Sequence, residues 1–365
     1  MGTLGRYTLK EMLRPALAWL GFLYLLLLVM AFLRGTEVLL GSAVTLGDLL
    51  RFTLMMTPQF VMQAAPVALL LGLLLGFGRL ADDGELKAMQ SLGLAPSRLL
   101  GGPLILGGLL SLVLLGLVFT LQPWGLKGVR EAANEIIKRN VAANVKPGVF
   151  DEEVADFTLY AEQVTPDGWK NVLVYDGRDA QAPMLVLAKE GKAAPRAQGE
   201  GLELLLKGGA MHQLTRSSGS YALAQFGDAA LQLDVGNNLF RQNRFASVRE
   251  EQSPFELLEA AQQPAAPNHG LPFLVAFHWR LGQAATPLAF VCIGLPMSLS
   301  RRGGRARGLA LTLAAYLSYY LLARFGMSFG EKGIFPALVA GQMANLLFIA
   351  VGLAWLWRTS NRAVA

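Results

Sequence analysis

Residues 15–33, 52–77 and 99–121 are apolar on every face a helix could present, and residues 281–299, 309–327 and 334–357 repeat the pattern. Between the two sets, residues 122–270 are far more polar and turn to period-two alternation. A helix rising 1.5 Å per residue needs about 20 residues to cross about 30 Å of hydrocarbon, and each run reaches about that length. A buried helix of a soluble protein rarely stays apolar all round for so long. The pattern predicts an α-helical membrane protein with six transmembrane helices in a 3+3 arrangement and an inserted all-β domain. Residues 1–121 form the first membrane half, 122–270 the inserted domain with its linkers, and 271–365 the second membrane half.

The inserted segment begins as a helix through Arg139 and then becomes rich in β-formers. Strands are expected over 157–164, 169–175, 184–188 and 202–206, and in pieces over 221–235. Pro166-Asp167-Gly168, Asp176-Gly177, Gly208-Gly209 and Ser217-Ser218-Gly219 carry turn chemistry between them. Short strands so spaced suggest a sandwich or jelly roll. Phe157, Leu159, Trp169 and Phe226 fit either a closed core or an open channel for acyl chains. Residues 262–270, rich in Pro, Ala and Gln, read as the linker back to the membrane.

Charge sets the orientation. Arg6, Lys10, Arg14, Arg79, Lys87, Arg98, Arg301, Arg302, Arg305, Arg307, Arg358 and Arg362 flank one side, against Arg34, Arg51 and Lys332 opposite. Basic loops resist translocation, so both termini are expected in the cytoplasm and the β domain outside. The net charge of +6 is therefore a topology signal, and a nucleic-acid partner is the poorer reading. The first run ends at Phe32-Leu33-Arg34 without a small-x-small cleavage site and reads as a retained span. The single cysteine, Cys292, lies in the fourth run, so the outer domain has no disulfide to hold it.

Candidate catalytic chemistry is missing. His212, His269 and His278 are not spaced as metal ligands, and neither a G-x-S-x-G elbow nor a phosphate-binding P-loop occurs. No catalytic residue, metal or cofactor is expected, and energy for any work must come from another subunit. Asp and Glu are absent from all six runs, which argues against an ion-coupled carrier. A mechanotransmitting subunit that pulls on periplasmic partners without moving lipid is the rival reading. A membrane-anchored enzyme is weaker still.

Residues 79–93, RLADDGELKAMQSLG, are the most specific stretch. Asp82 with Glu85 three residues on suggests a helix start, Leu86 and Met89 share a face, and Gly93 suits a left-handed stop. A short amphipathic helix over 82–93 follows, either an interfacial linker or a coupling helix that offers Glu85 to a basic group of an ATPase. Arg34, Arg280 and Arg324 lie near the outer ends of spans one, four and five, where lipid phosphates would sit. Guanidinium forks suit phosphate, although snorkelling to ordinary headgroups is the alternative. Gln59, Gln63, Gln283, Gln342 and Asn345 are costly in lipid, and interhelical bonding is their expected use.

Several motifs resemble one family in order and spacing. They are Pro58 and Pro66, Arg79-Leu80, Glu85-Leu86, Ala88-Met89, Gly93-Leu94, His278-Trp279-Arg280-Leu281, Leu295-Pro296-Met297-Ser298, the loop 301–307, Tyr316 to Tyr320 and Glu331-Lys332-Gly333. Together they resemble the LptF/LptG permeases of lipopolysaccharide export, with a lean to the F branch. The resemblance implies an ABC-transporter subunit of a Gram-negative inner membrane that extracts lipopolysaccharide from the outer leaflet and passes it to a periplasmic bridge. It also implies partners: a sister permease (LptG-like, or LptF-like if this chain is the G type), a cytoplasmic LptB-like ATPase dimer, a single-span LptC-like subunit and an LptA-like bridge. By the same resemblance Glu85, Leu86, Met89 and Gly93 couple to the ATPase, and Arg34 and Arg324, with Arg280, contact lipid.

Overall fold

The computed structural model describes residues 3–34, 44–92, 99, 101–144, 147–154, 157–165, 168–177, 179, 181–195, 202–215, 219–233, 248–264, 266–299 and 305–364. Chain contacts divide the protein into two units. One holds Met1–Val29, Met55–Leu126 and Val248–Ala365, the other Met30–Leu54 and Lys127–Ser247. The loop arginines Arg301 and Arg302 and the turn residues Pro166, Asp167, Ser217 and Ser218 lie outside the described residues.

Helices α1 (Thr3–Arg34), α2 (Leu46–Asp82), α4 (Gly101–Phe119), α8 (Leu271–Leu299), α9 (Arg305–Glu331) and α10 (Ala337–Val364) each hold a stretch long and apolar enough to cross a membrane. The expected six-helix membrane portion is therefore present. Between them lie the short α3 (Glu85–Ser91), α5 (Leu121–Asn144), which continues from α4, then α6 (Val248–Glu251), α7 (Pro254–Gln262) and a 3-10 turn at Pro267–Gly270.

α2 and α8 form the centre of the first unit. Of their most apolar stretches 78% and 72% are buried, against 11% for α1, which is no less apolar. Leu70, Leu73, Phe77, Phe290 and Leu295 make up much of their shared core. Both helices run on through their internal prolines, Pro58 and Pro66 in α2 and Pro287 and Pro296 in α8.

Close approach depends on small residues. A Cβ on Gly341 of α10 would lie 2.6 Å from the backbone carbon of His278 in α8, and one on Gly282 would lie 2.7 Å from the carbonyl oxygen of Gly341. Gly76 of α2 meets the Glu11 carbonyl of α1 in the same way, at 2.9 Å.

Amides then join what the glycines bring together. Asn345 donates through Nδ2 to the Gly282 carbonyl (2.9 Å) and to Gln342 Oε1 (2.9 Å), and accepts from the Tyr319 hydroxyl (3.0 Å). Tyr319 also bonds Thr286 (2.8 Å), and Gln342 donates to the His278 carbonyl (3.2 Å). One buried polar network thus joins α8, α9 and α10. Nearer the first half, Gln122 donates to Gln59 at 2.7 Å.

The second unit contains a six-stranded antiparallel sheet whose strands lie in sequence order: β1 (Phe150–Val154), β2 (Phe157–Thr165), β3 (Gly168–Asp176), β4 (Met184–Pro195), β5 (Leu202–Thr215) and β6 (Ser220–Leu233). The inserted all-β region is as expected, although β4 and β5 are longer than anticipated and β1 carried no clear period. Gly208-Gly209, read as a turn, lies inside β5. Gly208 has φ +63, and a Cβ on Gly209 would strike the Leu187 carbonyl and the Phe226 ring, so these glycines serve backbone approach within a long strand. Phe157, Leu159, Trp169, Val172, Val174 and Leu204 are buried, whereas Phe226 is half-buried. An open groove of about 920 Å³ runs past Tyr160, Leu173, Leu187, Gly209 and Phe226.

The stretch read as a linker contains the 3-10 turn at Pro267–Gly270. Ser253 caps α7 in a full capping box with Glu256, and Asn268, His269 and Gly270 turn the chain through successive positive φ angles.

The glycine contact gives a direct stability test. Gly341→Val should cost about 1–3 kcal/mol by forcing α8 and α10 apart. Gly21→Ala, where nothing lies within 4 Å of the added carbon, should be neutral or slightly stabilising. Thermal unfolding of the detergent-solubilised protein checks both, with a drop of about 2–4 °C per kcal/mol expected for the valine variant.

Candidate coupling and lipid-contact sites

α2 does not stop before Asp82, as the helix start expected there requires; Asp82 is its last residue. The break falls at Asp83-Gly84, where Gly84 has φ +77, and α3 covers only Glu85–Ser91 rather than 82–93. The Gly84 carbonyl accepts the Ala88 amide at 3.1 Å, while Asp83 turns back to Arg79 (3.5 Å). Glycine at the turn separates two helices without the side-chain cap that Asp82 was expected to supply.

The faces of α3 divide its residues by task. Leu86 is buried in the core cluster with Met12, Phe77 and Leu80, and Met89 packs on that cluster. Both residues therefore anchor α3 to its own protein. Lys87, Ala88, Ser91 and Leu92 are exposed, Leu92 at 83%. Glu85 is half-buried at the edge of that surface and accepts the Tyr7 hydroxyl, with 2.9 Å to Oε2 and 3.1 Å to Oε1. Tyr7 lies 78 residues away, and no local spacing pointed to it. Gly93 lies outside the described residues.

The three arginines differ. Arg324 is exposed on α9; its Nε donates to the Tyr320 hydroxyl (2.9 Å) and its guanidinium carbon is 5.1 Å from the ring centroid. Tyr316 stacks on Tyr320 with centroids 6.5 Å apart, so residues 316, 320 and 324 form a ladder at helical i, i+4, i+8 spacing. Leu317, Leu321 and Phe325 flank it on the same exposed side. Arg34 is the last residue of α1, and its side chain lies outside what the structure describes.

Arg280 is placed differently from Arg324. It is only 4% exposed, and its Nη2 donates to the Arg249 carbonyl (2.9 Å) and to the Glu250 carbonyl. Carbonyls at the end of a short helix lack intrahelical partners and carry partial negative charge, so they hold the guanidinium inward. Arg280 straps α6 to α8 and is not presented to a lipid phosphate. Arg280→Ala should therefore cost about 1–3 kcal/mol through unsatisfied carbonyls. Limited proteolysis near α6 should speed up, while photocrosslinking to lipopolysaccharide is unchanged once folded protein is normalised.

Among the described residues, no group of three or more His, Cys, Asp or Glu side chains could hold a metal ion.

Comparison with known proteins adds to this geometry. The chain is 24% identical over 376 aligned residues to the lipopolysaccharide export system permease protein LptF of Escherichia coli K12, covering 97% of this chain and 94% of that protein. LptF of Shigella flexneri aligns to the same extent. The family described as "Lipopolysaccharide export system permease LptF/LptG" matches residues 6–358. With six apolar helices and a match over nearly its whole length, this chain belongs to the LptF/LptG permease family.

Proposed function

We propose that this multi-pass inner-membrane chain is the LptF-type permease subunit of an ABC transporter that takes lipopolysaccharide from the outer leaflet and hands it to a periplasmic bridge. The chain supplies membrane helices and a β domain, and a separate cytoplasmic ATPase dimer supplies the energy. The further partners are a sister permease, a single-span subunit and the bridge protein. Both termini are cytoplasmic, and residues 122–270 stand in the periplasm between membrane halves 1–121 and 271–365.

The observation that carries this reading is α3. A seven-residue helix pinned by Leu86 and Met89 keeps Glu85 and the exposed Lys87, Ala88, Ser91 and Leu92 available to a partner. A rigidly anchored projection is what force transfer from an ATPase requires. The lipid-facing counterpart is the Tyr316–Tyr320–Arg324 ladder. It combines a guanidinium suited to phosphate with aromatic rings suited to the membrane interface. Arg34 is assigned the same role at the end of α1. The groove past Leu173, Leu187 and Phe226, which also carries Asn171, Lys189 and Gln225, is the candidate path for acyl chains in the β domain.

Affinity purification from native membranes in mild detergent, followed by mass spectrometry, tests the assembly. A second six-span permease, an ATPase and bound lipopolysaccharide are expected, and recovery of a lone chain sinks the reading. Arg34→Ala with Arg324→Ala should weaken lipopolysaccharide crosslinking by about tenfold or more while the subunits still copurify. Glu85→Ala should reduce both ATPase copurification and export. Full retention of both would remove Glu85 from the coupling site.

A further inference from the structure

The cytoplasmic end of α1 is joined to α3 by contacts of three kinds. The Tyr7 hydroxyl donates to the Glu85 carboxylate. Glu11 of α1 accepts from Arg79 at 3.1 Å, and Arg79 in turn pairs with Asp83 in the turn that leads to α3. Leu9 and Met12 of α1 belong to the same apolar cluster as Leu86 and Met89. Backbone packing reinforces the joint: a Cβ on Gly72 would strike the Met12 carbonyl and Ala16, and one on Gly76 the Glu11 carbonyl.

Beyond Ala16 the helix is different. Leu17, Phe22, Leu25, Leu26, Val29 and Leu33 are all exposed. α1 is thus fastened firmly over its first four turns; farther along, the Tyr24 hydroxyl lies 2.8 Å from Thr57 Oγ1 of α2, and most of the remaining apolar side chains face outward. Gly84, with φ +77, breaks the helix between α2 and α3. A force on α3 that were carried by α2 alone would have to pass through that glycine turn.

We propose that Tyr7 is a positioning residue for Glu85, and that through this joint α3 and the start of α1 move as one body, so a load on α3 reaches α1 directly. The proposal rests on the reading of α3 as the ATPase-coupling helix. Tyr7 has one proton to give, and it approaches both carboxylate oxygens. A carboxylate has about four acceptor sites, so a basic group of the ATPase can bind Glu85 while Tyr7 holds it. The phenol therefore orients the carboxylate and shares it, rather than competing for it.

The test uses the copurified transporter in proteoliposomes and compares wild type, Tyr7→Phe, Glu85→Gln and the double variant. The readout is lipopolysaccharide released to the soluble bridge protein per ATP hydrolysed, with unfolding temperature as a check on integrity. Tyr7→Phe keeps the ring and its packing, so the unfolding temperature should match wild type. Release per ATP should fall about threefold or more, the scale of one ordinary hydrogen bond lost at an exposed site. In the Glu85→Gln background the same substitution should have no further effect, which a merely structural role for the ring would not produce. A wild-type ratio for Tyr7→Phe beside a lowered ratio for Glu85→Gln would overturn the Tyr7 proposal and leave the coupling site standing. Equal losses that add in the double variant would also overturn it, since Tyr7 would then act elsewhere. If Glu85→Gln changes neither ATPase copurification nor release, the coupling reading itself fails, and this inference with it.

Discussion

Helices in lipid gain no hydrophobic free energy by touching one another, so the bundle depends on how closely its backbones can approach and on the hydrogen bonds that become available when they do. The α8–α10 contact at Gly282 and Gly341 is the clearest case. Only there can Asn345 reach the Gly282 carbonyl and Gln342 the His278 carbonyl. Tyr319 completes the arrangement from α9. Because residue 319 points inward, residues 316, 320 and 324 of the same helix must point elsewhere. The exposed Tyr–Tyr–Arg ladder is thus a geometric consequence of a buried polar clasp.

The same logic operates at the other end of the chain. Gly72 and Gly76 let α1 lie against α2, and that approach brings Leu9, Met12 and Tyr7 to α3. A seven-residue helix would not be stable alone in water. Here it is held by burial of Leu86, by packing of Met89 and by a turn that only glycine makes without strain. The exposed surface left over is small, and its composition follows from which residues were used as anchors.

The second unit solves a different problem. Six strands in sequence order form a meander in which Leu159, Val172, Val174, Val186 and Leu204 are buried. Tyr175, Leu187, Leu214 and Leu223 are left exposed. Both faces therefore carry apolar side chains. That explains why alternation along these strands is weak as a sequence signal, and why glycine within β5 could be taken for a turn.

Six spans, an inserted β region, the short helix after α2 and the joint order of its motifs were legible in the sequence. Each depends on local properties: apolar length, period, turn residues and spacing along the chain. The capping box at Ser253-Pro254-Phe255-Glu256 is encoded locally as well. Tertiary structure alone decided the rest. α1 and α2 are similarly apolar yet differ greatly in burial, because burial depends on neighbours and not on hydropathy. Arg280 and Arg324 are the same residue type within membrane-length helices, but carbonyls of α6 enclose one while the other lies exposed beside a tyrosine ring. Tyr7 meets Glu85 across 78 residues, a pairing that no local period encodes and that exists only because two helices pack backbone to backbone.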